Sequence, residues 1–394
     1  MPQQIVTIGL LWHSMNSDNL GVGALTIGNM AIVEDAARNV GLKPKFKVIG
    51  WDDPKPPYFR RDDIEVVGLR ARDLNPLSGG LAQIVKDCDL VLDIGGGDSF
   101  TDIYGPGRIS KMLMASNIIL QGGVPLVMSP QTIGPFSNPV IKRAGLNILR
   151  RAAAVSSRDH LSTAFARDMG FDGALIEASD VALRLPYKKP AKRANGQTRV
   201  GLNVSGLLMN GGFSGDNMFG LKSDYGETVR KILHFFTRQT NCDIHLIGHV
   251  LSTKQPVEDD HRACAGLASE FPGVTVAPVF RDPSQAKSYI AGMDFFMGAR
   301  MHACIAAFST GVPVLPMAYS RKFEGFFGAL NYPALADCKT DDTDTILAKA
   351  MDAYDNRDAL KEAAASGLAA GYDRLKPYEA SVQHALVQAV KAAA

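Results

Sequence analysis

Short apolar, β-rich runs alternate with segments of helical periodicity along most of the chain, and this alternation limits the fold more than any other feature. In the first half, the β-rich runs lie at residues 5–12, 45–51, 64–69, 90–94, 125–129 and 154–157. Helical patterns lie between them, at residues 24–39, 80–87, 108–121, 139–151 and 160–169. Such alternation is typical of a parallel sheet whose strands are joined by crossover helices. We therefore predict a doubly wound α/β domain.

A polar break at residues 186–198 (PYKKPAKRANGQT) has the composition of an exposed linker. After it, strands and helices alternate again through residues 200–205, 225–239, 243–250, 258–270, 274–278, 284–291 and 294–317. Since single cores stop growing at roughly 250–300 residues, we expect this chain of 394 residues to form two α/β domains. We predict a first domain at 1–187, a linker at 188–198 and a second domain at 199–340. The C-terminal helices at 341–394 can pack back on the first domain.

Charge and cysteine usage exclude several classes of protein. Lys and Arg total 42 against 40 Asp and Glu, so the net charge of +2 gives no overall attraction to nucleic acid. The five cysteines show no CxxC spacing, which argues against a disulfide framework or a structural zinc site. No set of His, Asp and Glu has a metal-ligand spacing, so we predict no metal. We expect a cytoplasmic protein without a signal peptide or membrane span, and peripheral association with the inner face of a membrane stays open.

The densest group of chemically active residues lies at 294–328. Arg300 and His302 stand where an apolar strand gives way to a helix, and Tyr319 and Lys322 follow the next strand. Ligands of open α/β sheets bind outside the carboxyl ends of the strands, and a helix N-terminus there, here at Met301, attracts anions. Imidazole can take or give a proton near neutral pH. We predict an anion-binding and acid/base site.

Two polar loops follow strands of the first half. Residues 16–26 (NSDNLGVGALT) lack the GxGxxG spacing and are either a ligand-facing loop or a turn. Residues 93–104 (DIGGGDSFTDIY) combine three glycines with side chains suited to sugar hydroxyls or proton transfer. The alternative is a glycine turn in which Asp98 caps a helix.

Other candidates have structural alternatives of similar weight. Gln131 follows a strand between two prolines, so it either contacts a ligand or only shapes the backbone. Arg158 is an anion clamp or the partner of Asp159 in an ion pair. His249, at the end of the strand DIHLIGHV, is a candidate for the acceptor site. The acidic run 258–260 is expected only to favour a helix start through the helix dipole.

Taken in order, the motifs resemble those of the polysaccharide pyruvyl transferase family. They are NLGVGALT, GGGDSFTDIYG, SPQTIGPF, SSRDHLS, ASD, GLNVSG, EDD and GARMHACIAAFSTGVPVLPMAYSRK. The resemblance implies two Rossmann-like domains in a GT-B-like arrangement with a cleft between them. Family members often have proline after the aspartate of ASD, whereas this chain has Val181 after Asp180, so the role of that turn is in doubt.

The resemblance also implies an activity and a set of site residues. Pyruvate would move from phosphoenolpyruvate, as co-substrate without a further cofactor, onto two sugar hydroxyls as a ketal, with His302 as the general acid/base and Arg300 neutralising an anion. The donor-binding candidates are Arg158, Met301, Tyr319 and Lys322. The acceptor-binding candidates are Asn19, Gly97, Asp98, Ser99, Asp102, Tyr104, Gln131 and His249.

We therefore expect an enzyme of cell-envelope or exopolysaccharide biosynthesis that acts on a polysaccharide or lipid-linked glycan precursor. Two alternatives remain at this point: a GT-B glycosyltransferase with a nucleotide-sugar donor, and a glycan-binding protein without catalysis. Fold and motif locate a site without naming its sugar. The pattern leaves the acceptor and the oligomeric state undetermined.

Overall fold

The computed structural model describes residues 3–75, 79–191, 196–252 and 254–393. These form two compact units. Unit 1 comprises Met1–Ser17, Leu25–Leu185 and Gly371–Ala394, and unit 2 comprises Asp18–Ala24 and Pro186–Ala370. Residues 18–24 and 341–370 therefore belong to unit 2, which corrects the predicted limits. Part of the predicted linker, 192–195, lies outside the described residues.

Unit 1 is built on a parallel sheet of seven strands in the order β3-β2-β1-β4-β5-β6-β7. The strands are β1 Gln4–Leu11, β2 Leu42–Trp51, β3 Ile64–Leu69, β4 Leu90–Asp93, β5 Leu126–Gln131, β6 Ala154–Ser157 and β7 Ile176–Glu177. All four residues of β4 and all six of β5 are buried, because helices cover both faces of a parallel sheet. The strand order reverses between β1 and β4.

The helices of unit 1 begin with residues suited to that position. They are α1 Leu20–Asn39, α2 Gly80–Val85, α3 Pro106–Gln121, α4 Pro139–Arg151 and α5 His160–Asp168. The first five residues of α1 belong to unit 2. Proline opens α3 and α4, and the side chain of Asn138 accepts hydrogen bonds from the first turn of α4. Val181 opens a short 3-10 helix, Val181–Arg184, which Asp180 caps, so the turn forms without a proline.

Unit 2 repeats the plan with six parallel strands in the order β10-β9-β8-β11-β12-β13. The strands are β8 Thr198–Asn203, β9 Cys242–Ile247, β10 Thr275–Val276, β11 Phe295–Gly298, β12 Val314–Ala318 and β13 Ala336–Asp337. The helices are α6 Gly206–Met209, α7 Tyr225–Thr237, α8 Asp260–Glu270, α9 Pro283–Ile290, α10 Met301–Phe308, α11 Arg321–Phe327, α12 Thr343–Asp355 and α13 Arg357–Ala393. From Gly371 onward, α13 belongs to unit 1. In the order of their appearance the strands run 3-2-1-4-5-6, which is the Rossmann order. The reversal falls between β8 and β11.

Helix α1 begins at Leu20, four residues before the predicted start at Ala24. The predicted glycine loop is therefore wrong, because Gly21 lies in the first turn of this helix. By length and composition α1 could cross a membrane, because an 18-residue stretch of it has a mean hydropathy of 1.2. However, 78% of that stretch is buried inside the protein. Among the described residues it is the one helix that meets this test. Its apolar character therefore fits a core helix.

Candidate active site

Arg300 and His302 lie at the point in unit 2 where the strand order reverses. Strand β11 ends at Gly298, and α10 begins at Met301. The backbone N–H of Arg300 donates to the side chain of Asn203 at the end of β8, with an N···O distance of 2.8 Å. The two neighbouring strand ends therefore fix the residue that precedes α10. This is the place where ligands of such sheets bind.

The guanidinium of Arg300 is buried and paired with Asp260. Its Nη2 lies 2.7 Å from Oδ1 of Asp260, and its Nε lies 3.2 Å from both carboxylate oxygens. Nη2 also donates to the carbonyl oxygen of Glu258 at 3.1 Å. Burial disfavours the charged guanidinium, but the carboxylate of Asp260 outweighs it and the pKa of Arg300 is raised. Arg300 is therefore a fixed cation.

Asp260 is a centre of hydrogen bonding that the acidic run did not reveal. It is fully buried and accepts backbone N–H groups from Gly206, His249 and Val250 at 2.8–3.0 Å, besides Arg300. Asp259 caps α8, as the helix-dipole argument expects for that stretch, whereas Asp260 points inward. The helix-dipole interpretation is therefore incomplete, because it accounts for Asp259 and not for the buried contacts of Asp260.

His302 packs against the start of α1. A Cβ at Gly21 would lie 2.5 Å from Nδ1 of His302, so only glycine leaves room for the ring. Residues 18–20 pair with the segment just after β9: the backbone N–H of Leu20 donates to the carbonyl of His249, and that of Leu251 donates to the carbonyl of Asp18. Asn19 accepts from the N–H of Gly21 at 2.9 Å. The motif NLGVG therefore positions His302 within unit 2.

His249 lies in the same unit but is almost fully buried, with 2% of its surface exposed. Burial, together with positive charge at His302 and Arg300, lowers the pKa of His249 to about 3. A neutral imidazole inside the protein is a poor candidate for contact with an acceptor sugar.

The donor-binding candidates of unit 2 surround α10 and β12. The side chain of Met301 is buried, so its predicted contribution rests on its backbone N–H at the helix start. Tyr319 is half-buried, and its ring packs edge to face on Phe219, with centroids 5.1 Å apart. Lys322 lies in the first turn of α11 and is half-buried.

A cavity of about 510 Å³ in unit 2 was not predicted. It is bounded by α6, the loop that follows it and the start of α7, with Phe219, Lys222 and Tyr225 in its wall. Its size is that of small-molecule pockets. The hydroxyl of Tyr225 accepts from the N–H of Ser205 at 3.1 Å, next to the end of β8. The loop lacks periodicity, so only the folded chain shows this space.

In unit 1, Asp93 supports the glycine-rich loop after β4. Gly95–Gly97 form a 3-10 turn with positive φ angles of 54°, 58° and 92°. Oδ1 of Asp93 accepts the N–H of Gly95 at 2.9 Å, and its Oδ2 accepts the hydroxyl of Ser116 at 3.1 Å. Burial raises the pKa of Asp93 to about 7. This carboxyl group supports the loop from inside.

Arg158 lies beside this loop, in unit 1, and not in the unit that holds Arg300. A Cβ at Gly97 would lie 3.4 Å from its Nη1, and this nitrogen is 3.4 Å from Oδ2 of Asp180. The side chain is 3% exposed. Its Nε lies 4.0 Å from Oδ2 of Asp159, which is the predicted alternative of an ion pair, and neither Nε nor Nη2 forms a hydrogen bond with the described residues. A buried guanidinium with unused donors is suited to a carboxylate or phosphate group.

Of the acceptor-binding candidates in unit 1, three hold the loop together. Gln131 is fully buried and donates to the carbonyl of Asp93 at 2.9 Å. Ser99 is buried and accepts from Arg108 at 2.6 Å. Asp102 accepts the N–H groups of Ser137 and Asn138 at 2.7 and 3.0 Å. These contacts give all three residues a structural role, which for Gln131 is the alternative to a ligand contact stated above.

Asp98 and Tyr104 remain accessible. The hydroxyl of Tyr104 donates to Oδ2 of Asp98 at 2.6 Å, and the guanidinium of Arg108 lies 4.9 Å from the centre of the Tyr104 ring. Tyr104 is 44% exposed. An aromatic ring beside a carboxylate can bind a sugar, so these two residues stay candidates for acceptor binding. Among the described residues, no cluster of three or more His, Cys, Asp or Glu has the geometry of a metal site.

Comparison with known proteins identifies the family. The family model described as polysaccharide pyruvyl transferase matches residues 27–321. The chain belongs to this family. It is therefore a transferase, and the predicted resemblance is confirmed. Arg158, Arg300 and His302 all lie inside the matched range. No curated protein matches the chain in sequence.

Solved structures with similar folds include proteins of sugar metabolism. A sucrose-phosphate synthase from Thermosynechococcus elongatus has a TM-score of 0.55 at 12% identity, covering 99% of this chain and 100% of that one. A complex of S. aureus MnaA with UDP has a TM-score of 0.56 at 11% identity, covering 92% and 91%. The lipopolysaccharide outer core galactosyltransferase WaaB, in its apo form, has a TM-score of 0.50 at 12% identity, covering 99% and 100%. At such identities the likeness shows the fold alone, and it confirms the predicted GT-B-like class with two Rossmann-like domains.

Proposed function

We propose that the protein moves pyruvate from phosphoenolpyruvate onto two hydroxyls of a saccharide, forming a ketal. Family membership supports a pyruvyl transferase. The observation that carries the proposal is the placement of His302 in the first turn of α10, at the reversal of strand order, with a buried cation two residues before it. Binding of a glycan alone requires no acid/base group beside a fixed cation.

The reaction needs a proton donor and a proton acceptor. The methylene carbon of phosphoenolpyruvate gains a proton and becomes a methyl group, and two C–O bonds form from the sugar hydroxyls to the neighbouring carbon. The bond from that carbon to the phosphate oxygen breaks. Of the two protons that the hydroxyls lose, one replaces the proton given to the methylene carbon and the other leaves with phosphate. In the proposal His302 gives the first proton and takes one from a hydroxyl.

The cations have separate tasks in this proposal. Arg300 is fixed by Asp260, so it supplies a permanent positive field beside His302 rather than a mobile clamp. The first N–H groups of α10 and the side chain of Lys322 are suited to the anion's oxygens. Arg158 has two unused donors and is suited to a further carboxylate or phosphate group.

The test is phosphate release from phosphoenolpyruvate in the presence of candidate saccharides, with the product examined by mass spectrometry for the ketal. The proposal expects acceptor-dependent release that falls by about 10²–10⁴-fold in His302→Gln. The proposal would be contradicted if the folded protein released no phosphate in the presence of any saccharide tested, including lipid-linked saccharides. Stabilisation by a nucleoside diphosphate but not by phosphoenolpyruvate would favour a nucleotide-sugar donor instead.

A further inference from the structure

Unit 1 contains a long segment without acidic residues. Residues 103–158 include seven Lys and Arg and no Asp or Glu, although the whole chain has 42 basic and 40 acidic residues. Arg158 is buried in the site described above. The other six cations lie on α3 and α4. Positive charge is therefore concentrated on two helices of a nearly neutral protein.

Helix α4 presents three of its four cations along one face. Val140, Arg143, Asn147, Arg150 and Arg151 are exposed and follow the 3-4 spacing of a single helix face, while Ile141, Ile148 and Leu149 are buried on the other. Arg150 has an ion pair with Asp172 at 3.5 Å, but both side chains are more than half exposed, so water screens the pair.

Contacts join α3 and the loop before it to α4. Nη1 of Arg151 donates to Oδ1 of Asn117 on α3 at 3.0 Å, and Asp102 accepts the N–H of Asn138 just before α4. Arg108 lies over the ring of Tyr104, and Nζ of Lys111 lies 5.5 Å from the centre of the Trp51 ring. The cations of both helices thus form one surface together with exposed aromatic rings.

Large apolar side chains are exposed on the same surface. Val140 is 77% exposed, Ile103 is 58% exposed and Trp51 is 46% exposed. Two carboxylates before α3, Asp98 and Asp102, accept hydrogen bonds from Tyr104 and from the backbone before α4. Exposed apolar and aromatic side chains among Arg and Lys are the features of a membrane-interface surface.

We propose that this surface docks unit 1 on an anionic lipid bilayer. We name it the basic surface and define it by Trp51, Ile103, Arg108, Lys111, Val140, Arg143, Arg150 and Arg151. The cations face lipid phosphates, while Ile103 and Val140 enter the boundary between headgroups and acyl chains. A duplex nucleic acid also attracts cations, but it has no apolar region in which the exposed aliphatic side chains could be buried.

The basic surface adjoins the carboxyl edge of the unit 1 sheet. Helices α3 and α4 begin where β4 and β5 end, which is the edge that carries Gly95–Gly97 and Tyr104. A saccharide linked to a membrane lipid would therefore be presented at this edge. On the basis of the proposed function, docking through this surface would bring the lipid-linked acceptor that the family resemblance implies to this edge of the sheet.

The experiment is co-sedimentation of the full chain with vesicles of phosphatidylglycerol and, in parallel, of phosphatidylcholine, at low and high salt. The test variant combines Arg143→Gln, Arg150→Gln and Arg151→Gln. The matched control removes three exposed cations of unit 2, with Arg262→Gln, Lys339→Gln and Lys361→Gln. A second test variant, Val140→Ser with Ile103→Ser, removes only apolar groups.

We expect binding to the anionic vesicles that weakens with salt and falls on the order of 100-fold in the triple variant of α4. The control variant of unit 2 should bind the anionic vesicles almost as tightly as the unchanged protein. The apolar variant should bind them less tightly at both salt concentrations. Absence of binding at low salt, or equal loss in both triple variants, would overturn the inference. Binding to duplex DNA in place of vesicles, lost in the triple variant, would overturn it also.

Phosphate release with a soluble saccharide separates this inference from the proposed function. The triple variant of α4 should keep that activity, because its residues lie outside the proposed catalytic group. Loss of vesicle binding with intact activity supports both proposals. Vesicle binding by a protein that never releases phosphate would leave docking supported and the pyruvyl transfer refuted.

Discussion

Gly21 leaves the space that the imidazole of His302 occupies. Gly21 lies 281 positions before His302 in the sequence, but the first turn of α1 belongs to unit 2, and the two residues are in contact there. Glycine costs a helix roughly 1 kcal/mol relative to alanine. Its presence here is explained by the ring beside it rather than by the helix itself.

Gly21→Ala should therefore lower activity by displacing His302, because the new methyl group would lie 2.5 Å from Nδ1. We expect a loss of tenfold or more in phosphate release, in line with the sensitivity of catalysis to displacements of about 1 Å. The matched control is Gly266→Ala on α8, where a Cβ meets open space. The control should retain activity, and an equal loss in both variants would argue against the contact.

Asp260→Asn should destabilise unit 2 by leaving the guanidinium of Arg300 buried without its counter-charge. The expected cost is about 3–5 kcal/mol in the free energy of unfolding, measured in urea. Adding Arg300→Gln removes the unpaired charge, so the double variant should be more stable than Asp260→Asn alone yet stay inactive. A double variant no more stable than the single one would show that the pair does not control stability.

At the scale of elements, the pattern predicted most strands and helices because burial on both faces of a parallel sheet leaves continuous apolar runs. Strand β6 and helix α4 have the predicted bounds. Helix α11 was missed because seven residues, RKFEGFF, give too little periodicity, and β7 and β13 have only two residues each.

The site was predictable only in part. Arg300 and His302 follow from a strand end and a helix start, which are visible in the sequence. The contacts of Asp260 with three backbone N–H groups, and of Gly21 with His302, depend on tertiary packing between distant segments. No local pattern records which of two adjacent aspartates points inward.

The loop element after β4 should make stability depend on pH through Asp93. Its pKa of about 7 in the folded protein lies above the ordinary value of 3.8. The folded state therefore keeps a proton that the unfolded state has lost, and the contribution to stability is full below pH 3.8 and is lost as pH rises through 7. Asp93→Asn should raise the free energy of unfolding at pH 8, by roughly 4 kcal/mol at most.

Urea unfolding at pH 8 and at pH 4 checks this prediction, since the two proteins should differ little at pH 4. Asparagine can still accept the N–H of Gly95, so the loop should be kept. The assigned protonation would be contradicted if Asp93→Asn were less stable at pH 8 and its free energy of unfolding changed with pH as much as that of the unchanged protein.

At the scale of the whole molecule, a buried network joins distant parts of the unit 1 sequence. The hydroxyl of Tyr378 on α13 contacts Oδ1 of Asn29 at 2.7 Å and Oγ of Ser129 at 2.9 Å. Asn29 in turn contacts Nε2 of His13 at 3.1 Å. Since Nδ1 of His13 lies 3.0 Å from the carbonyl of Leu11, the neutral ring donates there and accepts from Asn29. Burial lowers the pKa of His13 to about 4, in keeping with that neutral form.

Tyr378→Phe should lower the stability of unit 1 by about 1–3 kcal/mol, because buried partners lose a hydrogen bond while the ring stays. Tyr372→Phe is the control. Tyr372 is 37% exposed, and its hydroxyl forms only a long hydrogen bond, at 3.4 Å, to the carbonyl of Leu183. Thermal unfolding of both variants gives the comparison. Equal midpoints for the two variants would show that the network contributes nothing.

The proposed role of His302 in proton transfer can be tested through the origin of the methyl proton in the ketal. The reaction is run in deuterium oxide with phosphoenolpyruvate and an accepted saccharide, and the product is examined by NMR and mass spectrometry. If His302 delivers a solvent-derived proton, the ketal methyl carries one deuteron, and His302→Gln forms this product about 10²–10⁴-fold more slowly. A ketal that His302→Gln forms at the unchanged rate would contradict the account.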